Sequence, residues 1–234
     1  MRVGDVSVQL VPVGGGEMIE GTDGRVLARP GQVYAIRITN HSDRRAVAKV
    51  DLDGTPVTEG GLVLGAGEIL ELERPVTEGE HGRFTVFPEG TESVFGDSGG
   101  RDNPDLGLVE VEYRRELPPE PPVLYDVLPA AGIPSPPPPP APRAAAPAPI
   151  PRFDAAPASL GAPIPESDVQ GAAGTGLTGR SQQTFRTVEV GPLEREATRV
   201  RLRIVIGRTE AFDRPRPLPG TRANPVPPRP APRP

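Results

Sequence analysis

The sequence contains no cysteine and no tryptophan. Without thiols it can build neither a disulfide framework nor a thiolate metal site. Lysine is almost missing too: 25 of the 26 basic residues are arginine, and Lys49 stands alone. Only six Phe and three Tyr are present, so any core must be built mainly from Val, Leu and Ile. No apolar run approaches the roughly 20 residues that cross a bilayer, and no membrane association is expected. The opening stretch MRVGDVSVQLVPVGGGE lacks the apolar centre of a secretion signal. No window carries an apolar stripe at helical spacing. The net charge of −5 disfavours nucleic acid as a general partner.

Proline is what the chain has in excess, with 34 residues unevenly placed. Residues 117–165 hold 18 of them, and residues 213–234 hold nine. Such segments cannot enter a sheet ladder or a helix interior, and they carry little large apolar surface. They divide the chain into a β-rich block at 1–116, a proline-rich linker at 117–169, a second ordered block at 170–208 and an Arg/Pro-rich tail at 209–234.

The first block reads as a series of strands. VSVQLVPV (6–13), QVYAIRITN (32–40) and AVAKVDLDG (46–54) alternate apolar and polar positions. GLVL (61–64), EILELERPV (68–76), RFTVFPEG (83–90) and LVEVEYRRE (108–116) follow, separated by turn-forming stretches such as RPG (29–31), DGTP (53–56) and GAGE (65–68). The second block ends in a further alternating strand. Val200, Leu202, Ile204 and Ile206 lie on one face of it, and Arg199, Arg201 and Arg203 on the other. About 40 residues with one good strand cannot bury a core alone. This block is therefore expected to complete the first or to pair with a neighbouring subunit. The expected fold is all-β: an antiparallel β-sandwich, jelly-roll-like, with long proline-rich extended arms.

Candidate sites are few. GDSGG (96–100) spells the surroundings of the nucleophile in trypsin-like proteases. That chemistry needs a histidine base and an orienting acid. Only His41 and His81 exist, and Ser98 follows His41 by 57 residues, too few to hold most of two barrels. Arg101 follows the motif in place of the usual proline. GDSGG is better read as a surface loop in which Gly96, Gly99 and Gly100 permit positive φ. The same loop offers Asp97, Asp102, Asn103 and Asp105 as hard oxygen ligands, but the EF-hand spacing is missing and a solvated loop is expected. GGG (14–16) and GTGLTG (174–179) lack the context of phosphate loops. No catalytic constellation, cofactor site or metal site is predicted.

Partner-binding residues are expected in the proline-rich segments. In the tail these are Arg214, Arg216, Arg222, Arg229 and Arg233, whose guanidinium forks suit acidic protein surfaces. In the linker they are Leu124 and Tyr125, within VLYDVL (123–128). A stiff, already extended backbone loses little entropy when it is ordered on a partner.

VDLDGTPV (50–57), GLVLGAGEILELERPV (61–76), GRFTVFPEG (82–90), GLVEVEYRRE (107–116) and GTGLTGRSQQTFRTV (174–188) together resemble an uncharacterised β-domain of virion-associated proteins of tailed phages and some large viruses. The resemblance covers about 100 residues in two pieces and includes no catalytic or ligand motif. It implies a non-enzymatic virion structural protein, of the minor capsid, decoration (cement) or head-spike kind, located on the capsid surface. Its expected partners are the major capsid protein or other virion proteins, with homo-oligomers favoured by capsid symmetry. The competing expectation is a secreted or surface adhesin, or a carbohydrate-binding β-sandwich, on a proline stalk.

Overall fold

The computed structural model describes residues 1–77, 79–94, 100–118 and 162–213. The strands, in chain order, are β1 (Arg2–Val3), β2 (Val6–Pro12), β3 (Ile19–Glu20), β4 (Arg25–Ala28), β5 (Tyr34–Asn40), β6 (Ala46–Leu52), β7 (Thr55–Pro56), β8 (Leu62–Leu64), β9 (Ile69–Leu72), β10 (Arg83–Pro88), β11 (Leu108–Arg115), β12 (Val169–Thr178) and β13 (Thr198–Gly207). One short helix, α1 (Thr209–Asp213), follows. The protein is all-β, with one antiparallel sheet and one mixed sheet.

The antiparallel sheet has the order β1-β2-β5-β9. The larger sheet runs β10-β12-β13-β11-β6-β7, with β8 also on β6, β4 on β13 and β3 on β4. The alternation in each strand sends one set of side chains to a common interior. Val6, Val8, Leu10, Tyr34, Ile36, Ile38 and Leu72 come from the first sheet. From the second come Ala46, Ala48, Val50, Leu52, Val109, Val111, Tyr113, Val200, Leu202, Ile204 and Ile206. All belong to one hydrophobic cluster, so strands separated by most of the chain share one core.

β13 organises the larger sheet. Its first half pairs antiparallel with β11 (Leu108↔Arg203 to Tyr113↔Thr198), and its last residues pair with β12. On its other edge β4 runs parallel, with Arg25↔Arg203 and Ala28↔Ile206. This pairing departs from the all-antiparallel expectation. No tight turn joins β4 to β13, so nothing forces the antiparallel direction there.

β12 was not legible as a strand because its sequence, VQGAAGTGLT, is glycine-rich. The glycines answer to close neighbours. A Cβ on Gly176 would fall 2.1 Å from the Ser93 carbonyl oxygen, and one on Gly174 would fall 2.4 Å from Val94 Cγ1. The strand thus accepts the 93–94 segment against its backbone, and Val94 bridges to Gly176.

Both ends of the proline-rich segment are tied to the β body. Leu117 N–H donates to the Pro192 carbonyl at 2.8 Å, extending the β11 pairing that continues through Glu116↔Leu193. Residues 162–168, proline-rich by composition, pack onto the sheet. Ile164 is buried with Leu27, Val205, Ala211 and Phe212 in a second apolar cluster. The Arg25 guanidinium donates to the Ile164 carbonyl and pairs with Glu166. Likewise the first residues of the Arg/Pro-rich tail form α1, with Arg29 stacked 4.6 Å over the Phe212 ring. Residues 118–157 separate from the β body as a second unit, and nearly all of them lie outside the described residues.

Candidate functional site

The most concentrated polar chemistry surrounds Asp53. Asp53-Gly54 closes the two-residue hairpin between β6 and β7, with φ of 51° and 78°. Left-handed backbone at both central positions is the demand of a type I′ turn, and Asp-Gly meets it. The turn faces inward, and Asp53 is 4% exposed. Its carboxylate accepts the N–H of Gly107 and the N–H of Thr175, each at 2.6 Å. Its own N–H donates to the Leu108 carbonyl, and its carbonyl accepts from Asn103 Nδ2 at 2.7 Å. Burial pushes this carboxyl up from 3.8 to about 6, against the pull of the two N–H donors and of Arg203. Beside it, the Tyr34 hydroxyl is hydrogen-bonded to Thr175 Oγ1 at 2.6 Å. Burial raises the Tyr34 hydroxyl well above its ordinary range. Asp53 therefore joins three separate stretches: the β6–β7 turn, the loop before β11, and β12.

An open cleft of about 420 Å³ lies outside this knot, lined by Asp51, Gly54, Asp105, Leu108, Glu110, Arg201 and Arg203. It sits on the outer face of the larger sheet, where β6, β11 and β13 place their charges in rows. Lys49 stands opposite Glu112, which faces Arg199; Asp51 stands opposite Glu110, which faces Arg201. Arg201 bonds Glu110 at 2.5 Å, and Arg199 bonds Glu112 at 3.1 Å. The Arg199 bond holds the Glu112 carboxyl below its usual range. Asp51 has no ion pair of its own among the described residues. Burial, with Glu110 and Glu112 alongside, raises its carboxyl. Arg203 holds the loop above, donating to the Leu106 and Pro104 carbonyls at 3.2 and 3.3 Å.

A second ionic cluster fastens the late block to the early one. Glu194 receives Arg44 at 2.6 Å and Arg115 at 3.0 Å, while Arg115 also reaches Asp5 at 2.7 Å. The two guanidinium groups lower the Glu194 carboxyl. Near the end of β9, Arg74 is buried and donates to the carbonyls of Gln183, Pro75 and Glu80. It lies 4.7 Å from the Phe185 ring. The Gln183 amide bonds the open edge of β9, accepting from Glu73 N–H and donating to the Glu71 carbonyl. A side-chain amide thus occupies positions a further strand would take.

The residues singled out by sequence distribute as follows. His41 lies hydrogen-bonded to Ser7 at 2.9 Å through Nε2, and burial lowers its pKa. Neither Ser7 nor His41 lines the 420 Å³ cleft or the smaller one beside Asp5 and Glu194. His81 is exposed, and its carbonyl accepts from Ser181 N–H. Of GDSGG, only Gly100 falls within the described residues. Its φ of 79° is the left-handed geometry expected of it, and Leu106 packs where a Cβ would stand. Ser98 and Asp97 lie outside. Asn103 spends both ends of its amide on the fold, bonding the Asp53 carbonyl and the Asp105 N–H. Among the described residues no group of three or more His, Asp or Glu side chains is placed to hold a metal ion. No described helix is long and apolar enough to cross a membrane. Arg214, Arg216, Arg222, Arg229, Arg233, Leu124 and Tyr125 lie outside the described residues.

Sequence reasoning missed Asp53, Arg74 and Gln183. The Asp-Gly pair signalled a turn, but nothing local signals that its carboxylate is buried against residues 107 and 175. No family model matches the chain, and neither does a curated protein or a solved structure.

Proposed function

We propose that this chain is a non-enzymatic structural protein of a virus particle, of the minor capsid, decoration or head-spike kind. In this reading the two sheets are a jelly-roll-like sandwich that sits on the capsid, and the proline-rich segments are extended arms laid across neighbouring subunits. The observation that carries it is how those segments are rooted. The linker leaves beside the start of β13, where Leu117 bonds Pro192, and returns near the end of β13, where Ile164 and Phe212 pack together. Ten residues of β13 separate these points by about 30 Å, whereas residues 119–161 reach about 130 Å as polyproline II. The chain supplies far more length than its own ends need, and both roots are fixed by ordered packing. Stiff arms on fixed roots suit contacts with neighbouring subunits of a lattice.

The polar groups support the same reading. Asp53, Tyr34, Asn103, Arg74 and Gln183 are spent on joining strands, and the Ser7–His41 pair opens onto neither cleft.

The test is mass spectrometry of purified particles for the chain and its copy number, together with loading of a variant lacking residues 214–234. The chain is expected at a copy number that is a multiple of the capsid symmetry, and the shortened variant is expected to load poorly while keeping its β spectrum. Absence of the chain from particles would refute the virion role. Equal loading of the shortened variant would refute the role of the tail.

A further inference from the structure

The basic tail and the acidic β body belong to the same chain, and α1 delivers the tail to one particular face. The whole sequence carries −5; residues 214–234 contain five arginines and no acid, which leaves −10 on residues 1–213. α1 packs against Val205 and Leu27. Val205 alternates with the inward Ile204 and Ile206, so it shares the outer face of the larger sheet with Arg203, Arg201 and Arg199. The tail therefore starts on the face that bears the charge rows and the 420 Å³ cleft.

That face is unevenly neutralised. On its β13 side, Arg199 and Arg201 are matched by Glu110 and Glu112. On its β6 side, Asp51 and Asp105 line the cleft, and neither has an ion pair among the described residues. Asp51 stands directly opposite Glu110; Arg201 bonds the Glu110 carboxylate, while Asp51 has only Lys49, two residues before it on β6, as a nearby cation and forms no ion pair with it. The tail leaves beside Arg29, which pairs with Asp213 just past β4; from that level to Arg201 is about 20 Å along β13, and from β4 to β6 is about 14 Å across three strand spacings. Arg222 lies nine residues beyond Asp213 and reaches about 28 Å along an extended chain. It has enough length to enter the cleft.

We propose that the outer face of the larger sheet, at the cleft between Asp51 and Asp105, is the docking surface for the chain's own arginine–proline tail. One or more tail guanidinium groups bond the two unpaired carboxylates there, and the tail lies across β11 and β6. This inference stands apart from the virion reading, since it concerns where the tail rests when no partner holds it.

The sequence supplies its own probe. Trypsin cuts after arginine unless proline follows. Arg214, Arg216, Arg229 and Arg233 all precede proline, so Arg222–Ala223 is the one tail bond it cleaves. Release of residues 223–234 from the full chain, followed by mass spectrometry, reports the exposure of Arg222. The reference is the rate at which a free peptide of residues 213–234 is cut. Tethering gives the tail an effective concentration of about a millimolar, so a tail–surface Kd of about 0.1 mM gives about tenfold slower cleavage in the intact chain at low salt. Protection should vanish in Asp51→Asn/Asp105→Asn and at about 0.5 M salt, where exposed ion pairs are screened. It should not change with protein concentration. Melting by circular dichroism checks that the double variant is folded. Cleavage of the intact chain as fast as the peptide would overturn the proposal. So would protection that survives in the double variant, and so would protection that grows with concentration, which would assign the tail to a second copy.

Discussion

Two opposing effects meet at Asp53, and Asp53→Asn separates them by pH. The carboxylate accepts two backbone N–H groups at 2.6 Å. Asparagine keeps one acceptor but turns its amide N–H2 toward the second donor, and an unsatisfied buried group of this kind costs about 1–3 kcal/mol. The left-handed φ of 51° is tolerated by asparagine as well as by aspartate, so the backbone is not the variable. Against this loss, the wild-type protein buries a charge. The difference between 3.8 and about 6 corresponds to about 3 kcal/mol. Because the folded-state value is the higher one, the native state binds the extra proton. The stabilisation is complete below about pH 4 and lost as pH rises through about 6. The asparagine variant has no such proton.

The stability gap between the two proteins should therefore be small near pH 7 and widen by about 3 kcal/mol as pH falls to about 4. Urea unfolding followed by far-ultraviolet circular dichroism measures it at each pH; tryptophan emission is not an option in a chain that has none. Other titrating groups cancel in the difference. A gap that is constant with pH, or larger at pH 7, would refute the reasoning. The second outcome would mean that the two N–H donors and Arg203 outweigh burial and hold the carboxyl ionised at low pH.

Three further outcomes are expected. Gly107→Ala should cost more than about 4 kcal/mol in the same unfolding assay, because φ is +74° and the new Cβ would meet the Ile204 and Ala173 carbonyl oxygens at 2.5 and 2.7 Å. Arg74→Ala should cost about 2–4 kcal/mol and accelerate amide exchange around Gln183–Phe185, since it strips donors from three carbonyls and removes the cation beneath the Phe185 ring. Tyr113→Phe should cost about 0.5–1.5 kcal/mol by removing one of three donors to the buried Asn40 Oδ1, which accepts the hydroxyl at 2.5 Å and also the Ser42 N–H and hydroxyl; an unchanged urea midpoint would show that the two Ser42 donors satisfy it without the tyrosine.

Period-two alternation located the strands whose two faces differ most. β2, β5, β6, β11 and β13 each bury every second side chain, and their bounds fall within two residues of the alternating stretches. β12 carries no such signal, because glycine has no side chain to alternate. Its strand character is imposed from outside, by β10 pairing along Arg83↔Thr178 to Pro88↔Ala173 and by the Ser93–Val94 segment against its glycines. β1, β3 and β7 are two residues long, too short to show a period. β4, only four residues long and buried at three of them, looks like any short apolar run until β13 and β3 flank it.

The polar centre was hidden for a different reason. An Asp-Gly turn at the surface and one at the core have the same local sequence, and only tertiary placement decides which way the carboxylate points. At position 53 the decision comes from the loop that begins with GDSGG. Gly100 turns under Leu106, Asn103 caps the Asp53 carbonyl, and Gly107 presents its N–H to the carboxylate from a backbone that passes too near Ile204 and Ala173 for any side chain. The stretch that first suggests a catalytic serine thus leads into a segment whose next residues are spent on closing the β body around a buried aspartate. From residue 100 onward, two glycines and one asparagine of that loop, Gly100, Gly107 and Asn103, are what lets it pass between β6 and β12 and hold them together.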